Sequence, residues 1–167
     1  MQVPGGNAAY EKAVNDHFND LYRFAYWLCR NRWQAEDLVQ EALLRAWRAW
    51  PGLREERAVK AWFFTIVHHQ FQRARSRAAR SGPISDDDDR AFYPDPTQSL
   101  DVERALGELP EASREALLMQ VLGGFSCSEI SDALGSSEGA IMTRLTRARQ
   151  ALRRRLGTSD VIEVMQG

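Results

Sequence analysis

The apolar positions of this chain recur at helical spacing from one end to the other. Phe18, Leu21, Tyr22, Ala25, Leu28 and Cys29 follow at steps that return to one helix face. A second pattern runs from about Gln34 to Trp50, with Leu38, Ala42, Leu43, Ala46 and Trp47 on one side, and Pro51-Gly52 stops it. A third begins near Arg57, carries Trp62, Phe63, Ile66 and Val67, and runs into a basic stretch ending at Arg80. No segment sustains strand alternation, so the pattern predicts an all-α fold.

The pattern breaks at Ser81. The stretch that follows holds Gly82, Pro83, Asp86 to Asp89, Pro94 and Pro96, has little to bury, and reads as a flexible acidic linker over residues 81–98. Helical spacing resumes at Leu100. Leu109-Pro110 marks a new helix start, since proline suits a first turn. Gly123-Gly124 closes that helix after Ala116, Leu117, Met119, Gln120, Val121 and Leu122. Ser126 and Glu129 have the spacing of a capping box. Ile130, Ala133 and Leu134 belong to the short helix behind it, Gly135 is its left-handed cap, and Ser137 is the N-cap of a last helix ending near Gly157. These boundaries predict two small helical domains, 8–80 and 99–157, with a leader over Met1 to Asn7 and a tail over 158–167.

Composition sharpens this picture in three respects. The 167 residues carry a formal net charge of only -1, but arginines cluster at 73–80 and 144–155 while Asp86 to Asp89 are acidic. A near-neutral total therefore hides basic patches suited to polyanions. The two cysteines, Cys29 and Cys127, lack ligand or disulfide-framework spacing and read as reduced thiols of a cytoplasmic protein. No apolar run approaches the roughly 20 residues a bilayer requires, which predicts no membrane insertion. No nucleotide-binding glycine loop, metal-ligand cluster or catalytic constellation is visible, so the sequence predicts no enzyme, cofactor or metal. His68 and His69 are adjacent and point apart.

Candidate chemistry lies on three helices. Short helix, glycine turn and longer helix make the helix-turn-helix layout of DNA-binding proteins. Ile141, Leu145, Ala148 and Leu152 face inward, while Ser137 caps the helix and Gly139, Ala140, Thr143, Arg144 and Arg147 lie mainly on other sides. Small residues there admit a groove, and arginines supply phosphate or base contacts; the bland alternative is a solvated hairpin. On the second helix, Asp37, Gln40, Glu41, Leu44 and Arg48 share a narrow sector, with Leu44 among polar neighbours. That is the layout of an interface centre with a polar rim, unless a small rotation buries Leu44. On the third, Phe64, His68, Phe71 and Arg75 form a stripe opposite the Trp62/Phe63 side. Aromatics beside arginine suit stacking on single-stranded DNA; the alternative is a helix buried on both sides.

These pieces resemble one family, the extracytoplasmic-function (group four) sigma factors, over about Tyr10 to Leu156 with the linker unmatched. Ala35 to Trp47 (AEDLVQEALLRAW) resembles the family's region two helix that docks on the clamp helices of the RNA polymerase largest subunit, which implies that role for Asp37, Gln40, Glu41, Leu44 and Arg48. Ala61 to Val67 (AWFFTIV) resembles the next helix, which with the loop before it captures the melted minus-ten strand. The resemblance extends that role to Leu53, Arg54 and Arg57 in the loop and to the Phe64, His68, Phe71 and Arg75 stripe. Leu109 to Leu118, Glu129 to Gly135 and Arg144 to Arg149 resemble region four, which reads the minus-thirty-five element as duplex and meets the polymerase flap. The implied partners are core polymerase, promoter DNA in double- and single-stranded form, and an anti-sigma factor; the implied setting is the bacterial cytoplasm. Three departures stand out: His69 where the family often has asparagine, Met142 where lysine is common, and Ser131 where alanine is usual. The rival reading is a helix-turn-helix regulator with a helical N-terminal sensing domain. An enzyme using His68 and the aspartate block, and a domain mimic that sequesters a partner, are further alternatives.

Overall fold

The structure, a computed structural model, describes residues 6–50, 59–80 and 100–166, apart from the side chains of residues 100 and 158–166. Those residues form seven helices and no strand: α1 (Gly6–Cys29), α2 (Arg32–Ala49), α3 (Val59–Arg80), α4 (Leu100–Glu108), α5 (Glu111–Val121), α6 (Cys127–Leu134) and α7 (Glu138–Gln166). The chain divides into two compact units, Met1–Phe92 and Tyr93–Gly167.

In the first unit α1, α2 and α3 each pack on the other two. The α1–α2 corner contains no glycine. Arg30 takes the left-handed conformation (φ 56°) itself, at a cost of roughly 1–2 kcal/mol for a residue with a Cβ, and its guanidinium lies 5.0 Å from the centre of the Trp27 ring. Asn31 then caps α2, its side chain accepting from Gln34 N–H at 3.0 Å. Leu21, Phe24, Ala25, Trp27 and Leu28 of α1 fill the core, whereas Phe18 is 42 % exposed, so α1 buries a face one step on from the one its spacing suggests. Lys60 of α3 pairs with Asp20 of α1 at 3.0 Å. The leader expected over Met1 to Asn7 gives way to helix from Gly6; the residues before it lie outside the described ones.

In the second unit α7 packs against α4, α5 and α6, and α5 against α6. Pro110 is the N-cap of α5 rather than its first helical residue. At the other end Gly124 adopts φ 70° and its N–H donates to Gln120 O at 3.1 Å, the αL capping motif, while Phe125 N–H donates to Met119 O at 3.2 Å. Gly123 is required for space: a Cβ there would stand 2.6 Å from the Phe125 ring and 2.7 Å from Met119 O. Arg149 of α7 bonds Gln120 of α5, and Arg155 pairs with Glu108 of α4. The last helix breaks at Gly157, near its expected end: that residue leaves helical geometry (φ 72°, ψ 175°), and helix resumes beyond it to Gln166, where a tail was expected.

Candidate functional site

Helix α2 buries Ala35, Leu38, Val39, Ala42 and Ala46 and turns its other side to solvent. Asp37, Gln40, Glu41, Leu44 and Arg48 are all exposed. Leu44, 53 % exposed, is therefore an apolar residue in a polar surround and is not rotated into the core. Glu41 pairs along the helix with Arg45 at 3.3 Å. The structure adds Trp33, 61 % exposed, which at about 100° per residue falls in the same sector as Leu44 and Asp37. It lengthens the apolar seam toward the helix start. Sequence reading passed over Trp33 because it lies in the first turn, before the periodic pattern begins. Trp47 is also exposed, but its ring sits 4.9 Å from Tyr10, whose hydroxyl donates to Leu43 O at 2.6 Å.

The stripe expected to face outward on α3 does not. Phe64 and His68 are fully buried and Phe71 nearly so. Helix α3 is gripped by both α1 and α2, so it buries Phe63 and Val67 together with Phe64, His68 and Phe71, and Phe64 stacks on Phe24 at 4.9 Å between ring centroids. Phe64, His68 and Phe71 are thus core residues rather than a stacking platform for bases. Trp62 and Ile66, on the side opposite that stripe, are only half-buried. Among the described residues His68 finds no hydrogen-bond partner at either ring nitrogen, and burial holds its pKa down at about 4, so it is neutral at physiological pH. Arg75 is exposed, its guanidinium 5.6 Å from the Phe71 ring centre. Leu53, Arg54 and Arg57 lie outside the described residues.

Beyond Phe71 every residue of α3 is exposed, and the cationic side chains form a groove with α2. Arg45, His69, Arg73, Arg77 and Arg80 line an open volume of about 530 Å³ together with Gln72 and Ser76. Four arginines give the described lining of this groove a basic character, with Arg45 shared with Glu41. The arginine cluster at 73–80 was visible in the sequence; the contribution of Arg45 from another helix was not.

In the second unit the capping box forms in both directions: Glu129 N–H donates to Ser126 Oγ at 3.1 Å and Ser126 N–H to Glu129 Oε1 at 3.2 Å. Gly135 takes φ 63° and closes α6. Ser137 accepts from Ala140 N–H at 3.2 Å and starts α7. Ile130, Ile141, Leu145, Ala148 and Leu152 are buried as their spacing implies, whereas Leu134, whose spacing also points inward, is half-buried. Ser137, Gly139, Thr143 and Arg147 are exposed, and Ala140 and Arg144 half-buried. Arg144 Nη1 donates to Ser136 Oγ at 3.1 Å, so this arginine is partly committed to the turn. Met142, 57 % exposed, lies on the same outward side of α7.

Comparison with known proteins gives these surfaces a context. The family model described as Sigma-70 region 2 matches residues 13–81, and that described as Sigma-70, region 4 matches residues 99–152. The chain is 31 % identical over 163 residues to the ECF RNA polymerase sigma factor SigM of Mycobacterium tuberculosis, spanning 93 % of this chain and 81 % of the relative. It is 31 % identical over 168 residues to SigL of the same organism, spanning 92 % and 94 %. Among solved structures, the sigma factor RpoE in complex with the anti-sigma factor NepR from Bartonella quintana superposes with a TM-score of 0.73 at 29 % identity, covering 90 % of this chain and 98 % of that one.

Proposed function

This chain belongs to the extracytoplasmic-function sigma factors of the sigma-70 family, and from that premise we propose how its surfaces divide the work of initiation. Residues 8–80 bind core polymerase and the minus-ten element, residues 99–157 bind the minus-thirty-five duplex and the polymerase flap, and residues 81–98 link them. The observation that carries the docking assignment is the exposed Leu44, ringed by Asp37, Gln40, Glu41 and Arg48 on a helix within the region 2 match. An apolar centre with a polar rim is how an interface concentrates its binding energy. These five residues meet the clamp helices, and Trp33 extends the contact.

Downstream of that contact, the groove of Arg45, Arg73, Arg77 and Arg80 offers a path for promoter phosphates, and Leu53, Arg54, Arg57 and Arg75 hold the melted strand. Capturing extruded bases offsets the few kcal/mol of unstacking, so opening is a binding event and the chemistry belongs to the polymerase. In the second unit Ser137, Gly139, Ala140, Thr143, Arg144 and Arg147 face the upstream duplex. The similarity to RpoE in complex with NepR supports an anti-sigma partner for this chain as well. No helix among the described residues is long and apolar enough to cross a membrane, and the family's role at the polymerase supports a cytoplasmic setting.

Run-off transcription tests the reading. Purified core polymerase with this chain alone should yield discrete transcripts from a subset of genomic fragments, and core alone should not. Transcripts absent with the chain present would favour a regulator or a sequestering mimic instead.

A further inference from the structure

Helix α7 presents a patch whose chemistry is not that of a phosphate contact. At about 100° per residue, Gly139, Met142, Thr143 and Thr146 share about 100° of arc, away from buried Ile141, Leu145 and Ala148. All four are exposed. Thr143 Oγ1 donates to Gly139 O at 3.0 Å and Thr146 Oγ1 to Met142 O at 2.9 Å. A threonine hydroxyl has a single hydrogen, so both donors are used within the helix. What remains to offer is a γ-methyl and an acceptor on each threonine, beside the thioether chain of Met142.

Gly139 adds an independent observation. A Cβ there would meet nothing within 4 Å, and its φ is not left-handed. Neither packing nor backbone conformation within the chain calls for glycine, which helices disfavour. A missing side chain at this position serves the close approach of something from outside. The cations stand at the side of the patch: Arg144 is held by Ser136, and Arg147 is exposed.

We propose that Met142, with the methyls of Thr143 and Thr146, selects thymine in the major groove, Gly139 letting the base edge come close. The C5-methyl of thymine is the apolar group that base pairs display there, and threonine methyls and other apolar groups are its recognised partners. Methionine suits the task because its unbranched chain adapts to the surface it meets. The proposal rests on the reading of α7 as the duplex-binding helix and deepens it by naming what is read.

The test uses holoenzyme assembled from the full chain and purified core polymerase. Preferred sequences are selected from promoters randomised in the upstream duplex, and each thymine in the recovered motif is then replaced by deoxyuridine, which removes only the methyl. Wild type should lose roughly threefold to fourfold in affinity at one or more positions, the worth of one buried methyl. Met142→Ala should bind thymine and deoxyuridine alike at such a position. Equal binding of both duplexes by wild type at every position would overturn the proposal, as would undiminished discrimination by Met142→Ala. Recovery of no preferred duplex would overturn the underlying reading of α7 and this inference with it.

Discussion

Arg144 donates to the hydroxyl of Ser136 at 3.1 Å and so ties the start of α7 to the turn before it. The same Ser136 accepts at its carbonyl from Ser131 Oγ at 2.5 Å. Ser131, Ser136 and Arg144 form one chain of contacts across the helix-turn-helix, and the serine that replaces the family's usual alanine has a partner that alanine would not provide. An arginine that sequence reading assigns wholly to DNA is therefore partly a strut.

Arg144 and Arg147 should accordingly fail in different ways. Arg147→Ala removes an exposed cation and should lower the salt dependence of duplex binding by about one counterion, leaving the fold untouched. Arg144→Ala should in addition speed amide exchange in α6, since a hydrogen bond to a charged donor contributes about 1.5–3 kcal/mol and partial exposure places this one at the low end. Hydrogen exchange of both variants, with binding measured across a salt series, separates the two roles. Identical exchange would show that the contact with Ser136 braces nothing.

The docking surface makes a sharper demand. Leu44 is exposed, so Leu44→Asp should keep wild-type helicity and thermal stability. If Leu44 is the interface centre, the same change should cost at least about 2 kcal/mol of affinity for core polymerase, roughly a thirtyfold loss. Trp33→Ala should weaken binding less, being at the edge. Titration of labelled chain with core polymerase reads both, and unchanged affinity for Leu44→Asp would refute the assignment.

These surfaces were unequally legible in the sequence. The outward sector of α2 could be read because, past Trp33 in the first turn, that helix face is polar except for Leu44. The caps Asn31, Ser126 and Gly135 act locally, and the latter two were read from neighbours a few residues away. Helix α3 could not be read in the same way. Trp62, Phe63, Phe64, Ile66 and Val67 wrap most of its circumference, so periodicity leaves open which residues are core. The choice belongs to α1 and α2, which enclose the helix and bury His68 with Phe64 and Phe71. The left-handed Arg30 gave no signal, because a corner without glycine resembles continuing helix.

Both cysteines are free thiols, as their isolation in sequence suggests. Burial pushes the Cys29 thiol up to about 12, so it carries almost no thiolate at neutral pH, and the thiolate is the reactive form. Alkylation of Cys29 by iodoacetamide should be at least about tenfold slower in the native chain than in denaturant. Peptide mapping over a time course measures this, and equal rates would show that the end of α1 is open to solvent.

The fold holds His68 buried, with no hydrogen bond to either ring nitrogen among the described residues. Removal from water and the neighbouring His69, whose ring centroid is 6.2 Å away, both disfavour its charged form and place its pKa at about 4 against the ordinary 6.5. Above pH 6.5 the folded and unfolded chains are both neutral at this position, and the histidine imposes no pH dependence. As pH falls below 6.5 the unfolded chain takes up a proton that the folded chain refuses, so stability declines down to about pH 4. Every tenfold difference in proton affinity between the two states is worth about 1.4 kcal/mol, giving a loss of up to about 3 kcal/mol. The tryptophans Trp27, Trp33, Trp47, Trp50 and Trp62 all belong to the first unit, so their emission reports its unfolding. Urea midpoints between pH 7.5 and 4.5 should fall more steeply for wild type than for His68→Leu, which fills similar space and cannot titrate. Carboxylates contribute equally to both chains and cancel in the difference. Parallel curves would mean that His68 is protonated or solvated within the fold, and that α3 is less tightly enclosed than its burial indicates.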